Sequence, residues 1–514
     1  MFDLLGAGLL QNLAPHLLLL VLVGTTAGMA VGAMPGLSAT MGVALLVPFT
    51  FAMEPTEGLV LLGAFYMGAI YGGSFTAILV NAPGTPSSIA TTFDGYPLTK
   101  QGRSEEAIVG ATMGSFVGGL VGVVALIFLA PPLASFSLRF GPQEYFWIAV
   151  FGLTIIVTMT SGSLLKGLIG GLLGLLMAMV GIAPVGGDVR FTFGEPTLQG
   201  GVPLVPALIG LFTIPEVLRL VALRGREAEM IDENRVRSSV WQTVRDILSR
   251  PVNLLRSSLI GTVVGILPGA GGSIANLVAY NEAKRASKHP ERFGKGEVDG
   301  VVAPEAANNA TVGGGFIPTL TLGVPGTPPD AIILGVLLLQ GLRPGAQLFT
   351  TSGELVYTFI IALGFSAVMM VPVGLIAGRA LQRGVVALPA RYLAPGITVL
   401  SIVGAYAIRS SVTDVFIMLF LGLVAYLLSV AGIGAAPIVL GLILGRIAET
   451  GLVQGLLTSA GSEQPWTTFF TRPISLVLIS MSVLSVGLPV FRAVRGRRAG
   501  AARDSAQPDY VGKD

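Results

Sequence analysis

Apolar runs, many of them near the roughly twenty residues a helix needs to cross a bilayer, follow one another along almost the whole chain. They lie near residues 13–33, 57–80, 106–130, 144–160, 163–183 and 202–223. After a polar segment, 224–256, they resume near 257–267, 304–322, 330–342, 355–378, 393–408, 414–431, 434–447 and 473–491. Several are too short to cross alone. A membrane β-barrel would show strands of about ten residues with alternating polarity, and unbroken runs favour helices instead. The pattern therefore predicts an all-α polytopic membrane protein with about 11–13 transmembrane helices plus re-entrant or broken helices.

Composition agrees with that class. The chain of 514 residues is 52% hydrophobic and 11% charged, where a soluble domain carries about 25% charged residues. So little charge cannot cover a water-facing surface, and most of the exterior faces lipid. The first Lys or Arg is Lys100, so no basic segment precedes the apolar run Leu13–Val23. That run reads as a retained span and not as a cleavable leader. Basic residues gather at Arg224–Arg256, Lys284–Lys295 and Arg492–Lys513. The positive-inside rule puts the first and last of these in the cytoplasm.

Gly and Pro interrupt the apolar runs in a repeated order. Gly32-Ala-Met-Pro35-Gly36 is followed by Asn81-Ala-Pro83-Gly84-Thr85-Pro86; Gly265-Ile-Leu-Pro268-Gly269 is followed by Gly323-Val-Pro325-Gly326-Thr327-Pro328. The flanks match as well. Gly28 aligns with Gly261, Thr40 with Ser273, and Gly72-Gly73 with Gly314-Gly315. The second copy is longer because of a polar insertion at 289–299. The expected organisation is a first transmembrane repeat at 1–223, a basic cytoplasmic linker at 224–256, a second repeat at 257–491 and a basic, solvated cytoplasmic tail at 492–514. An odd number of crossings between the copies would invert the second, and inversion is the expected orientation. Such pseudo-symmetric halves, with Pro- and Gly-broken segments near the membrane centre, are a carrier architecture.

The residues around the breaks are the candidate ligands. Pro ends a helix, Gly permits the turn, and the freed backbone groups must be buried in protein or face a wet cavity. Half-helix N-termini attract a carboxylate; unwound carbonyls suit Na⁺. On the first later turn the candidates are Asn81, Gly84, Thr85 and Ser87, with Ser88 beside them. On the second they are Gly326 and Thr327, flanked by Thr321 and Asp330. Ser38 and Thr40 follow the first earlier Pro-Gly pair, as Gly269, Ser273 and Asn276 belong to the second. Neutral hydroxyl, amide and backbone donors suit a carboxylate, and helix capping is the competing role for the Ser, Thr and Asp residues. Glu305, Asn308 and Asn309 share a helix face at i, i+3 and i+4 in apolar surroundings. An acid there marks an ion or proton site, unless it only favours the first turn after Pro304. Asp94 reads as part of an interfacial loop, Lys166 and Arg219 as snorkelling residues, and Arg343 as a possible attractor of anions.

Other chemistries find little support. Cys is absent and His occurs only at 16 and 289, which excludes thiolate chemistry and His-rich metal sites. No phosphate-binding G-x-x-x-x-G-K-[ST] loop is present. A membrane-embedded protease would need H-E-x-x-H, a Gly two before a Ser-Gly, or G-x-G-D. Met159, Thr350 and Val185 stand where the last two would need Gly. A passive channel or a membrane-embedded enzyme is the alternative to a carrier.

Pro35-Gly-Leu-Ser38, Tyr71-Gly-Gly-Ser74 followed by Ala77-Ile-Leu, Asn81-Ala-Pro83-Gly-Thr-Pro86, Asp94-Gly-Tyr-Pro97, Leu267-Pro-Gly-Ala-Gly-Gly272, Ala279-Tyr280 and Glu305-Ala-Ala-Asn-Asn309 together resemble the signature of the large membrane subunit of tripartite tricarboxylate transporters. The likeness spans roughly 15–490. It implies a translocating permease of the bacterial inner membrane that works with a small four-span membrane subunit and a periplasmic solute-binding protein. It also implies no organic cofactor, and coupling of small organic carboxylate uptake to a Na⁺ or H⁺ gradient without ATP.

Overall fold

The structure, a computed structural model, describes residues 2–34, 36–159, 164–222, 239–382, 390–461 and 464–487. Pro35, residues 224–238 of the expected linker and the whole expected tail, 492–514, lie outside them. The chain is a succession of helices. They run α1 (Phe2–Asn12), α2 (Pro15–Gly32), α3 (Ala39–Thr50), α4 (Pro55–Val80), α5 (Thr91–Lys100), α6 (Ser104–Ser137), α7 (Pro142–Met159), α8 (Leu164–Ala178), α9 (Leu204–Ala222) and α10 (Val240–Leu248). There follow α11 (Pro251–Ile266), α12 (Gly271–Ala286), α13 (Asp299–Leu322), α14 (Pro328–Leu339), α15 (Ala346–Thr351), α16 (Gly353–Gln382), α17 (Ala390–Arg409), α18 (Val412–Val430), α19 (Ala435–Thr458), α20 (Thr468–Thr471) and α21 (Pro473–Gly487). Among the described residues the one sheet is a two-stranded antiparallel hairpin pairing Gly181 with Arg190 and Ile182 with Val189. Pro opens α2, α4, α7, α11 and α14, where its missing N–H would be unpaired in any case.

Among the described residues, seven helices are long and apolar enough to cross a bilayer, or eight if the pair Pro465–Thr471 and Pro473–Gly487, bent by 71°, forms one span. By length alone this is fewer than the 11–13 expected. Part of the difference has a physical cause. Breaks turn several apolar runs into short helices, among them Ala39–Thr50, Leu164–Ala178, Pro251–Ile266 and Pro328–Leu339. At 1.5 Å of rise per residue none of these reaches across the hydrocarbon alone. The described part of the 224–256 segment is helical: α10 lays Val240, Val244 and Ile247 on the main core and α11 begins at Pro251.

Burial is inverted relative to a soluble protein. The outer helices α2, α16 and α18 expose large apolar side chains such as Leu19, Ile376, Phe416 and Phe420, a surface suited to lipid. The polar-bearing helices lie inside. The apolar window of α4 is 94% buried, and α13 buries every residue from Gly300 to Thr321.

Glycines let other helices reach these two centres. A Cβ on Gly24, Gly28 or Gly32 of α2 would meet the carbonyl oxygens of Leu61, Phe65 and Ala69 on α4. On the other central helix, a Cβ on Gly261 or Gly265 of α11 would meet the carbonyls of Ala307 and Thr311. The contact is returned by Gly72 toward Met29 and by Gly314 toward Thr262. Along a neighbouring row α13 receives Gly114, Gly118 and Gly122 of α6 at the carbonyls of Val302, Ala306 and Ala310. Four-residue spacing keeps each row on one helix face, and small residues are what close packing in lipid uses.

One carboxylate ties the two parts of the sequence together. Asp94 of α5 is fully buried. Its Oδ1 accepts hydrogen bonds from the backbone N–H of Gly294 at 2.9 Å, Gly296 at 2.8 Å and Glu297 at 2.8 Å. Its Oδ2 accepts one from the Tyr280 hydroxyl at 2.8 Å. Gly294 and Gly296 adopt φ of +83° and +101°, so the loop between α12 and α13 curls its N–H groups into an anion nest. Asp94 is thus a structural clamp on the polar insertion.

Two outcomes test this packing. Gly28→Ala should destabilise the detergent-purified protein by about 1–3 kcal/mol through forced overpacking. Gly6→Ala, with nothing within 4 Å of the added carbon, should leave Tm unchanged or slightly raised; equal behaviour of the two would refute the contact. Asp94→Asn keeps the shape and removes the charge. It should cost at least about 2 kcal/mol and open residues 287–298 to limited proteolysis, and an unaltered cleavage pattern would count against the clamp.

Candidate functional site

The candidate residues are placed by the ends of α4 and α13. Each helix finishes on a left-handed residue, Asn81 at φ +54° and Gly323 at φ +69°, and each is followed by a Pro-Gly turn. Glycine at the turn is required by contact. A Cβ on Gly84 would meet the Gly32 carbonyl, the Gly73 Cα and Thr76; on Gly326 it would meet the Gly265 carbonyl, the Gly315 Cα and Asp330. Both turns are pressed between the neighbouring helix end and the double glycine of their own helix.

In the first turn, Thr85 caps the 3₁₀ turn Pro86–Ser88 in a reciprocal capping box with Ser88. The Thr85 and Ser87 hydroxyls are 3.0 Å apart, and Ser88 donates to the Gly73 carbonyl at 3.0 Å. Asn276 of α12 donates its amide to the Ser87 carbonyl. Gly272, at the start of α12, lies against Ser87 and the Asn308 amide oxygen. Thus Thr85, Ser87, Asn276 and Asn308, predicted from separate stretches, meet in one place.

The second turn has a different chemistry. Thr327 caps α14 and its hydroxyl donates to Asp330 Oδ2 at 2.7 Å, while the Tyr66 hydroxyl from α4 lies 2.9 Å from Thr327 Oγ1. The Gly269 N–H donates to the Gly326 carbonyl at 2.8 Å, and a Cβ on Gly271 would lie 3.4 Å from the Thr327 methyl. The break between α11 and α12 is therefore joined to this turn.

Between the turns lies the polar face of α13. Glu305 is fully buried and accepts hydrogen bonds from Thr91 Oγ1 and, at 3.2 Å, from Ser115 Oγ. Asn308 is close to the same carboxylate without a well-formed hydrogen bond on either amide atom. Asn309 donates to the Met67 carbonyl at 3.1 Å. Seven of the fourteen buried side-chain polar atoms that lack a partner among the described residues belong to this region: Ser74, Thr76, Asn276, both amide atoms of Asn308, Asn309 and Asp330. Buried polar groups are nearly always paired, so their gathering here marks the site. Neither Glu305 nor Asp330 belongs to an ion pair of the described residues. No group of three or more His, Cys, Asp or Glu that could hold a metal ion occurs among the described residues.

Other candidates stand apart from this cluster. Ser38 caps α3, accepting from the Met41 N–H at 3.1 Å, and Thr40 is half-buried beside it. Ser273 is exposed. Asn81 is exposed too, and its left-handed backbone gives it the helix-ending role that Gly323 has in the other turn. The sequence reading passed over Tyr66, Thr91, Ser115 and Gly272 as site residues. Tyr66 carried a signal: it stands as far before Asn81 (66 and 81) as Asn308 stands before Gly323 (308 and 323). Each central helix thus sends one polar side chain to the opposite turn.

Beyond Leu322 and Gly323 a cavity of about 940 Å³ opens, bordered by Arg343, Arg409 and Arg446 together with Tyr145. Arg409 is paired with Asp414; Arg343 and Arg446 have no ion pair among the described residues.

Residues 18–440 match the model of the Tripartite tricarboxylate transporter TctA family. Two proteins of Agrobacterium vitis are similar to the chain. One, described as an uncharacterized 52.8 kDa protein in the TAR-I ttuC' 3' region, is 36% identical over 495 residues, covering 96% of this chain and 97% of that protein. The other, described as an uncharacterized protein in the TAR-II ttuC' 3' region, is 34% identical over 239 residues, 46% of this chain and 97% of its own length. No solved structure matches. The family match over most of the chain, carried by a helical multi-pass membrane architecture, makes this protein a member of the tripartite tricarboxylate transporter TctA family, a transporter subunit of a multi-component system.

Proposed function

We propose that the chain is the permease of an ion-gradient-driven importer of tricarboxylates or related small organic carboxylates in the bacterial inner membrane. It would work with a small four-span membrane subunit and receive its substrate from a periplasmic solute-binding protein. The observation that carries this reading is the neutral donor cluster of Thr85, Ser87, Asn276 and Asn308, set at broken helices inside the membrane. Hydroxyls, amides and the N–H groups opening α12 can hold a carboxylate without a buried cation. Partners left unsaturated in the protein are the ones a substrate can complete.

The matched contacts of Gly28 and Gly261, of Gly72 and Gly314, and of Gly84 and Gly326 support two structurally related halves. We read them as inverted repeats, with Na⁺ or H⁺ as the coupling ion and no organic cofactor. Arg343 and Arg446 then give the cavity beside Gly323 a positive potential that attracts substrate anions to the protein.

Purified protein, reconstituted with the small subunit and a cognate binding protein, should take up labelled di- or tricarboxylates saturably and only down an ion gradient. Thr85→Val and Asn308→Ala should each lower uptake about tenfold or more, the equivalent of one lost hydrogen bond to a charged group. Flux that is linear in substrate and indifferent to the gradient would replace the carrier with a channel. Arg343→Gln with Arg446→Gln should raise KM and flatten its dependence on ionic strength, leaving maximal uptake little changed. A KM that stays put would remove the cavity from the substrate route.

A further inference from the structure

The two turns occupy matched positions but differ at one residue. Thr85 aligns with Thr327, and Ser88 with Asp330. Both threonines cap their turns: Thr85 shares a capping box with Ser88, and Thr327 accepts from the Asp330 backbone N–H. A serine suffices in the first turn, so capping gives no reason for a carboxylate in the second. Asp330 is fully buried. One oxygen is engaged by Thr327; Oδ1 has no partner. The Tyr66 hydroxyl arrives from α4 at 2.9 Å from Thr327 Oγ1, and Asp330 also lies against Gly315 and Gly326. A desolvated carboxylate without a cation is costly. The cluster is made of oxygen ligands only, the set a hard cation takes, and it holds one formal negative charge, which matches a monovalent ion.

We infer that the two turns divide the work: the neutral first turn takes the carboxylate, and the Tyr66–Thr327–Asp330 cluster binds one sodium ion. The inference rests on the carrier reading for its purpose, though not for its test. Glu305 is the less suited acid, because both its oxygens already accept hydrogen bonds from Thr91 and Ser115. The Gly269–Gly326 hydrogen bond joins the cation cluster to the break that opens α12, whose first turn borders Ser87 and Asn308. Sodium binding would therefore brace the element that completes the carboxylate site, which is a direct route to coupling.

The test is thermal unfolding of the purified full chain across a sodium titration, with choline holding ionic strength constant and no substrate or partner present. Wild type should show a saturable rise in Tm with sodium. Asp330→Asn keeps the side-chain shape and the Thr327 cap, which uses the backbone N–H of residue 330, and should lose that rise. Tyr66→Phe, which removes one hydroxyl, should weaken apparent sodium affinity several-fold; it decides the matter if Asp330→Asn fails to fold. A wild type indifferent to sodium, or variants that keep the wild-type titration, would overturn the assignment. A Tm that follows pH but not sodium would overturn it equally. Sodium binding lost in Asp330→Asn, in a protein that carries no carboxylate, would uphold the cation site and reject the carboxylate reading. Gradient-driven uptake with an unchanged sodium titration in the variant would do the reverse.

Discussion

Close contact of backbone with backbone is the constraint on which the rest of this structure depends. In lipid there is no water to expel from between apolar helices, so association relies on packing and on interhelical polar contacts. Here α4 and α13 are approached by α2, α11 and α6 through glycines whose missing Cβ atoms leave room for a carbonyl of the partner. That closeness lets two helices sit wholly inside a shell of others while carrying Tyr66, Glu305, Asn308 and Asn309. Wider separation would admit lipid or leave voids, and the polar side chains would have no place to be held.

The same constraint shapes the turns. Gly84 and Gly326 are fixed by the carbonyls of Gly32 and Gly265, the last glycines of the adjacent rows. The rows that pack the helices thus also position the breaks, and a change in helix spacing moves the turns with it. The exchange of side chains follows. Tyr66 of α4 reaches the second turn and Asn308 of α13 lies near the first, so neither turn is complete within its own stretch of sequence. An arrangement of this kind resists independent motion of the two turns, which favours their acting as one unit.

Fold class and membrane placement were legible in the sequence because both follow from length and hydropathy of uninterrupted runs. The turns were legible because Pro and Gly leave a strong local mark. Which runs stay continuous was less legible, since an apolar run does not reveal whether a Pro-Gly break divides it into short helices, as with α3 and α14. Within the candidate site, Thr85, Ser87 and Thr327, beside the Pro-Gly marks, are buried next to groups from other helices. Thr91 and Ser115 escaped notice because they meet Glu305 only through the packing of α5 and α6 on α13. Asp94 was read as a loop residue. Its place in the fold depends on backbone N–H groups about two hundred positions away, which no local pattern can display.

Asn81 and Ser38 carry the sharper lesson. Both stand in motifs that read as ligand-bearing, and both have a local backbone task that accounts for the residue type: Asn tolerates the left-handed conformation better than most residues, and Ser is a favoured N-cap. Thr85 and Thr327 also have capping tasks, yet they are buried and meet α4, Thr85 beside Gly73 and Thr327 beside the Tyr66 hydroxyl. A capping role therefore neither argues for a ligand nor against one. What separates the two groups is convergence: a side chain from another helix hydrogen-bonds Thr327 and the Ser87 carbonyl, and among the described residues none hydrogen-bonds Ser38 or Asn81. Chain-local chemistry nominates a candidate residue, but only the packing of the central helices brings a second helix to it, and that second helix is what distinguishes such a residue from a plain cap.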